Sequence, residues 1–376
     1  MNQTPIQNKP TKQRPPATDK PARPSEGEGG VSERAYQFAL LSSAVAFVLA
    51  VLMILTAFIK PRTVLPDIPD DTTDPAETTE PSINAAVTYP TSPSRDSYLL
   101  SGSGVAIDGS TLSADFAILV SLSDYSVVAS LDADARIYPA SMTKIMTLIV
   151  ACEEIEDASV VLTVSDEIMK YCRENDATVL AMDPLDRFTA TDMLYGVGVV
   201  SAADACIALA EHVAGSEEAF VDLMNAKAAS LGLTKTNFAN STGLDDENNY
   251  STAREMAMIL AYALDNPFCR EILSTDNRTV LGYYDDGGTE KSYNRQLYNT
   301  LWSRLSGAGY EKKLPASLSC GMTLLGAKTG YTDAGGNCLA SFLEDKNGNL
   351  YVTVTAKGDT AGSSITDMET ICKDHT

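Results

Sequence analysis

Tyr138-Pro139-Ala140-Ser141-Met142-Thr143-Lys144 opens an apolar run, Ile145-Met146-Thr147-Leu148-Ile149-Val150-Ala151-Cys152. The run predicts a helix from Ser141 to about Ile155. Residues three apart share a helix face, so Ser141 Oγ and Lys144 Nζ can meet at its first turn. A serine hydroxyl is a poor nucleophile without a base. A lysine can serve as that base when burial or a neighbouring cation lowers its pKa. The helix N-terminus adds positive potential and backbone N–H groups where an oxyanion would form. Alone, Ser-x-x-Lys is a weak signal, since an N-cap serine followed by a surface lysine has the same spacing.

Two further stretches strengthen it. Ala327-Lys328-Thr329-Gly330-Tyr331-Thr332 reads as a strand. There Lys328 would supply a second cation beside Lys144, and the Thr329 hydroxyl would donate to a carboxylate. Gly330 would let a substrate backbone come close, and the Tyr331 N–H would serve as an oxyanion donor. The bland alternative is an edge strand with a solvated lysine and a glycine bulge. Ser201-Ala202-Ala203-Asp204 lies between two helical patterns, where Ser201 is either functional or only an N-cap.

Outward from these motifs, the residues around Ser123-Asp124-Tyr125 form two apolar runs that predict a β-hairpin. Helices are expected to open at Thr191-Asp192 and to cover about 203–214, with Ser216 and Ser251 as N-caps. Residues 322–332, 337–345 and 349–357 read as strands, the last two joined at Lys346-Asn347-Gly348. A short helix over 365–372 closes the chain. Strands first, helices in the middle and strands last predict an α+β domain, one antiparallel sheet covered by helices.

The formal net charge of -22 argues against a nucleic-acid partner, which needs clustered Lys and Arg. With only His212 and His375, a Ser-His-Asp triad or a His-based zinc site is not expected. No cofactor is called for. The cysteines number seven, an odd count without C-x-x-C spacing, and are expected to be buried free thiols.

The N-terminal quarter divides by composition. Residues 1–34 are rich in Pro, Lys and Arg and predict a disordered tail. Residues 35–60 contain an uncharged apolar run from Phe38 to Ile59, long enough for one transmembrane helix. A cleaved signal peptide fits less well, because the preceding tail and the apolar run are both too long. Residues 61–97 form an acidic, Pro/Thr-rich linker, and 98–376 form the catalytic domain. Flanking charge does not choose an orientation. The chemistry argued here needs the domain outside the cytoplasm, so a single-pass protein of the cell membrane is expected.

Motif order, separation and local letters together resemble the serine penicillin-recognising enzymes. The closer likeness is to the low-molecular-weight D-alanyl-D-alanine carboxypeptidases, peptidase family S11. It rests on YPASMTKIMT (138–147), FANSTGLDDENNYSTAREMA (238–257) and GAKTGYTDAGGNCLAS (326–341), with LYGVGVVSAADACIALAE (194–211) as the middle region. The resemblance runs from about 113 to 360. It implies a β-lactamase/transpeptidase-like fold. It also implies that Ser141 attacks the carbonyl between the last two D-alanines of a peptidoglycan stem peptide. Lys144 takes the Ser141 proton, Ser201 relays a proton to the departing D-alanine, and Lys328 and Thr329 hold its carboxylate. The N–H groups of Ser141 and Tyr331 form the oxyanion hole. β-Lactam antibiotics would act as covalent inhibitors.

The chain departs from that pattern. The family's middle motif usually reads Ser-Gly-Asn, and Ala202 and Ala203 replace Gly and Asn here. The lost amide would have bound a substrate carbonyl, and Asp204 cannot donate in its place. The histidine often present near Asn248-Asn249-Tyr250 is missing, and residues 345–357 offer no arginine to a carboxylate. Two alternatives therefore stand beside the carboxypeptidase. One is a catalytically weak or inactive binding module on the same fold. The other is a β-lactamase-like hydrolase, for which no convincing Glu-x-x-x-Asn match follows the middle motif.

Overall fold

In the computed structural model, residues 99–376 are described. The tail, anchor and linker expected over residues 1–97 lie outside them. Among the described residues no helix is long and apolar enough to cross a membrane.

Eleven strands form two sheets among these residues. In chain order they are β1 (Val105–Ala106), β2 (Phe116–Ser121), β3 (Val127–Leu131), β4 (Val161–Thr163), β5 (Arg187–Thr189), β6 (Asn277–Asp285), β7 (Glu290–Tyr298), β8 (Ala316–Ser317), β9 (Thr323–Thr332), β10 (Gly336–Glu344) and β11 (Leu350–Gly358). The larger sheet has the order β1-β3-β2-β11-β10-β9-β8. The first hairpin thus sits beside the last strand, so the two ends of the domain meet in one sheet. Ala117 faces Leu131 across the hairpin that the two apolar runs around Ser123 predict.

Alternate residues of the sheet feed two separate cores. Ile118, Val120, Phe342, Val352 and Val354 join the larger apolar cluster. Ala117, Leu119, Leu339 and Leu343 join a second one on the other face. Strands covered on both faces lose the apolar/polar alternation of a half-exposed strand, and β10 is buried from Asn337 to Leu343.

The helices are α1 (Lys144–Glu154), α2 (Asp166–Glu174), α3 (Ala190–Tyr195), α4 (Ala203–Ala214), α5 (Glu217–Ser230), α6 (Ala253–Asp265), α7 (Pro267–Ser274), α8 (Leu301–Gly307) and α9 (Ser363–His375). Helix α1 is buried from Lys144 to Cys152, which is why its sequence is apolar all round. Helix α6 packs on β11 and β2 from one side, while α9 packs on β10 and β11 with α8 beside it.

Several local expectations shift. The stretch before α1 is a 3₁₀ turn, Ala140–Thr143, and the α-helix proper starts at Lys144. Thr189, not Thr191, caps α3 by accepting the Asp192 N–H. Ser216 caps α5 as expected. Thr252 rather than Ser251 caps α6, because the Ser251 backbone is committed to a bridge with Ile137. The closing helix runs longer than 365–372.

The expectation of a single sheet is also corrected. A second sheet, in the order β4-β5-β6-β7, is built largely from the hairpin β6–β7. Its residues are mostly exposed and polar, so it lacks the apolar signature that marked the other strands.

Candidate active site

The α1 entrance is held from both sides by close backbone approach. At Gly330 on β9, a Cβ would lie 3.0 Å from Pro139 O and 3.2 Å from Ser141 N. At Gly243, φ is +75° and a Cβ would lie 2.0 Å from Ala140 O. Only glycine fits there. Asn240 Oδ1 builds that turn by accepting the N–H groups of Thr242 (3.2 Å) and Gly243 (2.7 Å). Ala140 itself is squeezed to φ 49°, a left-handed conformation that costs a non-glycine residue on the order of 1 kcal/mol or more. The strain sits one residue before Ser141. Beyond the substrate approach expected of Gly330, the side chain it lacks leaves room for the protein's own 139–141 turn. Gly330→Ala is therefore expected to push that turn away by a few tenths of an ångström. Acylation of Ser141 should fall about 10-fold or more, measured by stopped flow with a fluorescent penicillin.

Ser141 and Lys144 meet as the spacing predicts. Lys144 Nζ donates to Ser141 Oγ at 3.1 Å and also to the Thr242 carbonyl. Its side chain is only 2 % exposed, and burial lowers its pKa below the ordinary lysine value.

On the opposite wall Lys328 is fully buried. Its Nζ donates to Ser201 Oγ at 2.9 Å and to Thr329 O at 3.0 Å. Burial first, and then the charge of Lys144, push its pKa well below the usual range. Thr329 Oγ1 shares a 2.8 Å hydrogen bond with Thr300 Oγ1. Tyr331 is 60 % exposed at the rim.

Ser201 reaches Lys328 through an irregular backbone. Helix α3 widens into a π turn at Gly196–Val200, and Ser201 ends it at φ 64°. Such turns re-aim a side chain at a functional position. Ser201 is thus not a simple N-cap, since Ala202 occupies that place before α4.

Asp204 has a structural task. Its carboxylate accepts the N–H groups of Leu180 (2.7 Å) and Ala181 (2.8 Å), tying the 178–181 segment to α4. Ala202 and Ala203 are buried in the larger apolar cluster.

Three contributors carried no signal in the motifs. Thr242 orients Lys144 with a backbone oxygen, which no side-chain pattern reveals, although the FANSTGL stretch was marked. Thr300 is an ordinary residue at the start of α8. Arg304 on α8 is buried and donates from Nη1 to Ser364 Oγ (2.8 Å) and from Nη2 to Gly330 O (2.7 Å). Burial lowers its pKa to about 10, so it remains a cation at neutral pH beneath β9. The cysteines are all free, and all but Cys320 are fully buried.

The arrangement can do nucleophilic acyl chemistry. It has a serine beside a buried lysine, and a second buried lysine–serine pair near enough to feel the first lysine's charge. The peptidase S11 profile, described as D-alanyl-D-alanine carboxypeptidase, matches residues 104–358. D-alanyl-D-alanine carboxypeptidase DacF of Bacillus subtilis is 30% identical over 241 residues, which are 63% of this chain and 55% of that protein. DacA of Haemophilus influenzae is 31% identical over 249 residues, 65% of this chain and 57% of that protein. The chain thus spans about half the length of these curated relatives. The crystal structure of the Streptomyces K15 DD-transpeptidase superposes with a TM-score of 0.60 at 23% identity, covering 71% of this chain and 98% of that one. The D-alanyl-D-alanine carboxypeptidase of Mycobacterium tuberculosis H37Rv gives 0.56 at 24%, covering 72% and 94%. Both share the α+β fold described above. From the profile match across most of the domain, the chain belongs to peptidase family S11.

Proposed function

We propose that the protein is a serine-type D-alanyl-D-alanine carboxypeptidase that removes the terminal D-alanine from peptidoglycan stem peptides. We place it at the cell membrane, anchored by the apolar run before residue 60 with its catalytic domain outside the cytoplasm. The observation that carries the activity is the 3.1 Å contact between Ser141 Oγ and the buried Lys144 Nζ, faced by Lys328 and Ser201.

Lys144 takes the Ser141 proton as Oγ attacks the carbonyl carbon between the two D-alanines. The developing oxyanion lies between the N–H groups of Ser141 and Tyr331. Supporting this, Gly330, the neighbour of Tyr331, packs against Ser141 N. The C–N bond then breaks, and Ser201 passes a proton to the departing amine. Water attacks the acyl-enzyme ester, the free acid leaves, and Ser141 regains its proton.

Burial disfavours the charged form of both lysines, and the Lys144 charge adds to that at Lys328. A substrate carboxylate seated by Lys328 and Thr329 would favour the proton on Lys328.

The test is mass spectrometry after incubation with benzylpenicillin, together with release of D-alanine from a D-Ala-D-Ala peptide. A penicilloyl adduct on the peptide carrying Ser141, with steady D-alanine release, is expected. An adduct without release would reduce the protein to a penicillin-binding module, and rapid penicillin turnover would make it a β-lactamase.

The replaced middle motif has a consequence of its own. Ala203 is 2 % exposed inside an apolar cluster, and its N–H is committed to Thr178 O at 2.8 Å. Asn at this site brings an amide into a closed apolar space. Ala203→Asn is expected to cost about 1–3 kcal/mol of stability without raising peptide turnover. Thermal melts and D-alanine release measured side by side check both halves.

A further inference from the structure

Two cysteines that the reaction does not use are brought together where the turn between β8 and β9 meets α9. Ser319 donates to Glu369 Oε1 from its N–H at 2.8 Å and from its hydroxyl at 2.6 Å. Three residues along, the Thr376 hydroxyl reaches Met322 Sδ at 3.9 Å. Glu369, Cys372 and Thr376 are spaced at three and four residues, so they share one face at the end of the helix. Ser319 and Met322 bracket Cys320 on the turn. The two flanking contacts bring the turn carrying Cys320 onto the helix face carrying Cys372, and Cys320 packs against the apolar cluster that contains Cys372.

We propose that Cys320 and Cys372 form a reversible disulfide that pins the last helix to the turn preceding the K-T-G strand.

The two thiols differ: their contact, as the leading influence, helps bring the Cys320 pKa down to about 7, while the same contact and burial push the Cys372 thiol up. Cys320 is also the one cysteine that is not fully buried. It is the group that reacts first, since the thiolate is the nucleophile. Cys152 and Cys269 also neighbour each other, but both are buried, whereas Cys320 is partly open. That second pair is shielded from an oxidant.

The oxidant is a disulfide, either of a small thiol or of an oxidoreductase. Cys320 thiolate attacks one of its sulfurs, the oxidant's S–S bond breaks, and one thiolate departs. Cys372 then attacks the Cys320 sulfur of the mixed disulfide, its proton passing to the departing thiolate. The Cys320–Cys372 bond forms and the second thiolate is expelled. Two cysteine thiols are oxidised and the oxidant's disulfide is reduced to two thiols.

Pinning α9 bears on the active site. Ser364, on the same helix, accepts from Arg304, and Arg304 donates to the Gly330 carbonyl beside Thr329. The bridge thus secures the support under the strand that carries Lys328.

The experiment uses the full chain, treated with oxidised glutathione at pH 7.5, quenched with iodoacetamide and digested without reduction. The expected result is a Cys320–Cys372 linked peptide and the loss of two of the seven alkylatable thiols. A melting temperature raised by about 5 °C, reversed by dithiothreitol, should accompany it. Cys372→Ser should halt at a glutathione adduct on Cys320. Cys320→Ser, at the exposed member, should abolish the linkage and the thermal shift while leaving the buried member untouched. Seven alkylated thiols, a lasting glutathione adduct on Cys320 in the unsubstituted chain, or a link between other cysteines would overturn the proposal.

Discussion

Ser141→Ala is expected to abolish the penicilloyl adduct and to lower D-alanine release by about 10,000-fold or more, the scale on which a covalent nucleophile acts. The fold should hardly notice. Ser141 Oγ makes one side-chain contact, to Lys144 Nζ, and Lys144 keeps its second acceptor at the Thr242 carbonyl. The melting temperature should therefore stay within about 2 °C of the unsubstituted protein. These two readouts separate a lost nucleophile from a lost fold. The Lys328 and Thr329 side chains proposed to seat the substrate carboxylate are untouched, so non-covalent binding of a D-Ala-D-Ala peptide should survive. A penicillin adduct on Ser141→Ala, seen by intact mass, would move the nucleophile elsewhere; Ser201 would be the first candidate because it too touches a buried lysine.

How much of this site can be read in the chain depends on how local its geometry is. Ser141 and Lys144 are joined by a single helical turn, so their contact follows from spacing alone. Lys328 lies on a strand whose apolar neighbours make it recognisable. The face-to-face placement of the two lysines is different. It depends on β9 lying against residues 139–141, which in turn requires glycine at 330 and at 243. Sequence marked Gly330 as a position open to close backbone approach without showing that residues 139–141 come close, and Gly243 carried no reading of its own. Arg304 and Thr300 were invisible because their partners, Gly330 and Thr329, lie more than two dozen residues away along the chain. The second sheet was missed on other grounds. Its long hairpin alternates weakly and presents much of its surface to solvent, so no apolar pattern marked it as strand. Its Asp286-Gly287-Gly288 turn was a usable signal that the apolar pattern did not support.

Lys144→Arg should be nearly as damaging as Lys144→Ala, lowering the acylation rate by about 1,000-fold, within the range general-base catalysis supplies. Arginine keeps the charge near Ser141 but does not give up its proton near neutral pH, so charge alone is insufficient. The pH dependence carries the sharper test. Burial lowers the Lys144 pKa below its ordinary value, and only the neutral amine accepts the Ser141 proton. The acylation rate of the unsubstituted protein should therefore rise with pH through a pKa lower than that of a free lysine, and in Lys144→Arg this rise should vanish. Stability follows the same sign. Between the lowered folded value and the ordinary unfolded one, the unfolded chain binds more protons at this residue, so its contribution to stability grows as pH increases. A permanently charged arginine removes that gain, and melting temperatures across the same window should show a flatter slope. Stopped-flow acylation and thermal melts on one set of buffers measure both effects. If Lys144→Arg retained most of the rate, the base would have to be Lys328, whose pKa is pushed down both by burial and by the Lys144 charge. In that case the pH-dependent rise would disappear in Lys328→Arg instead, and Lys144 would be left with the task of orienting Ser141.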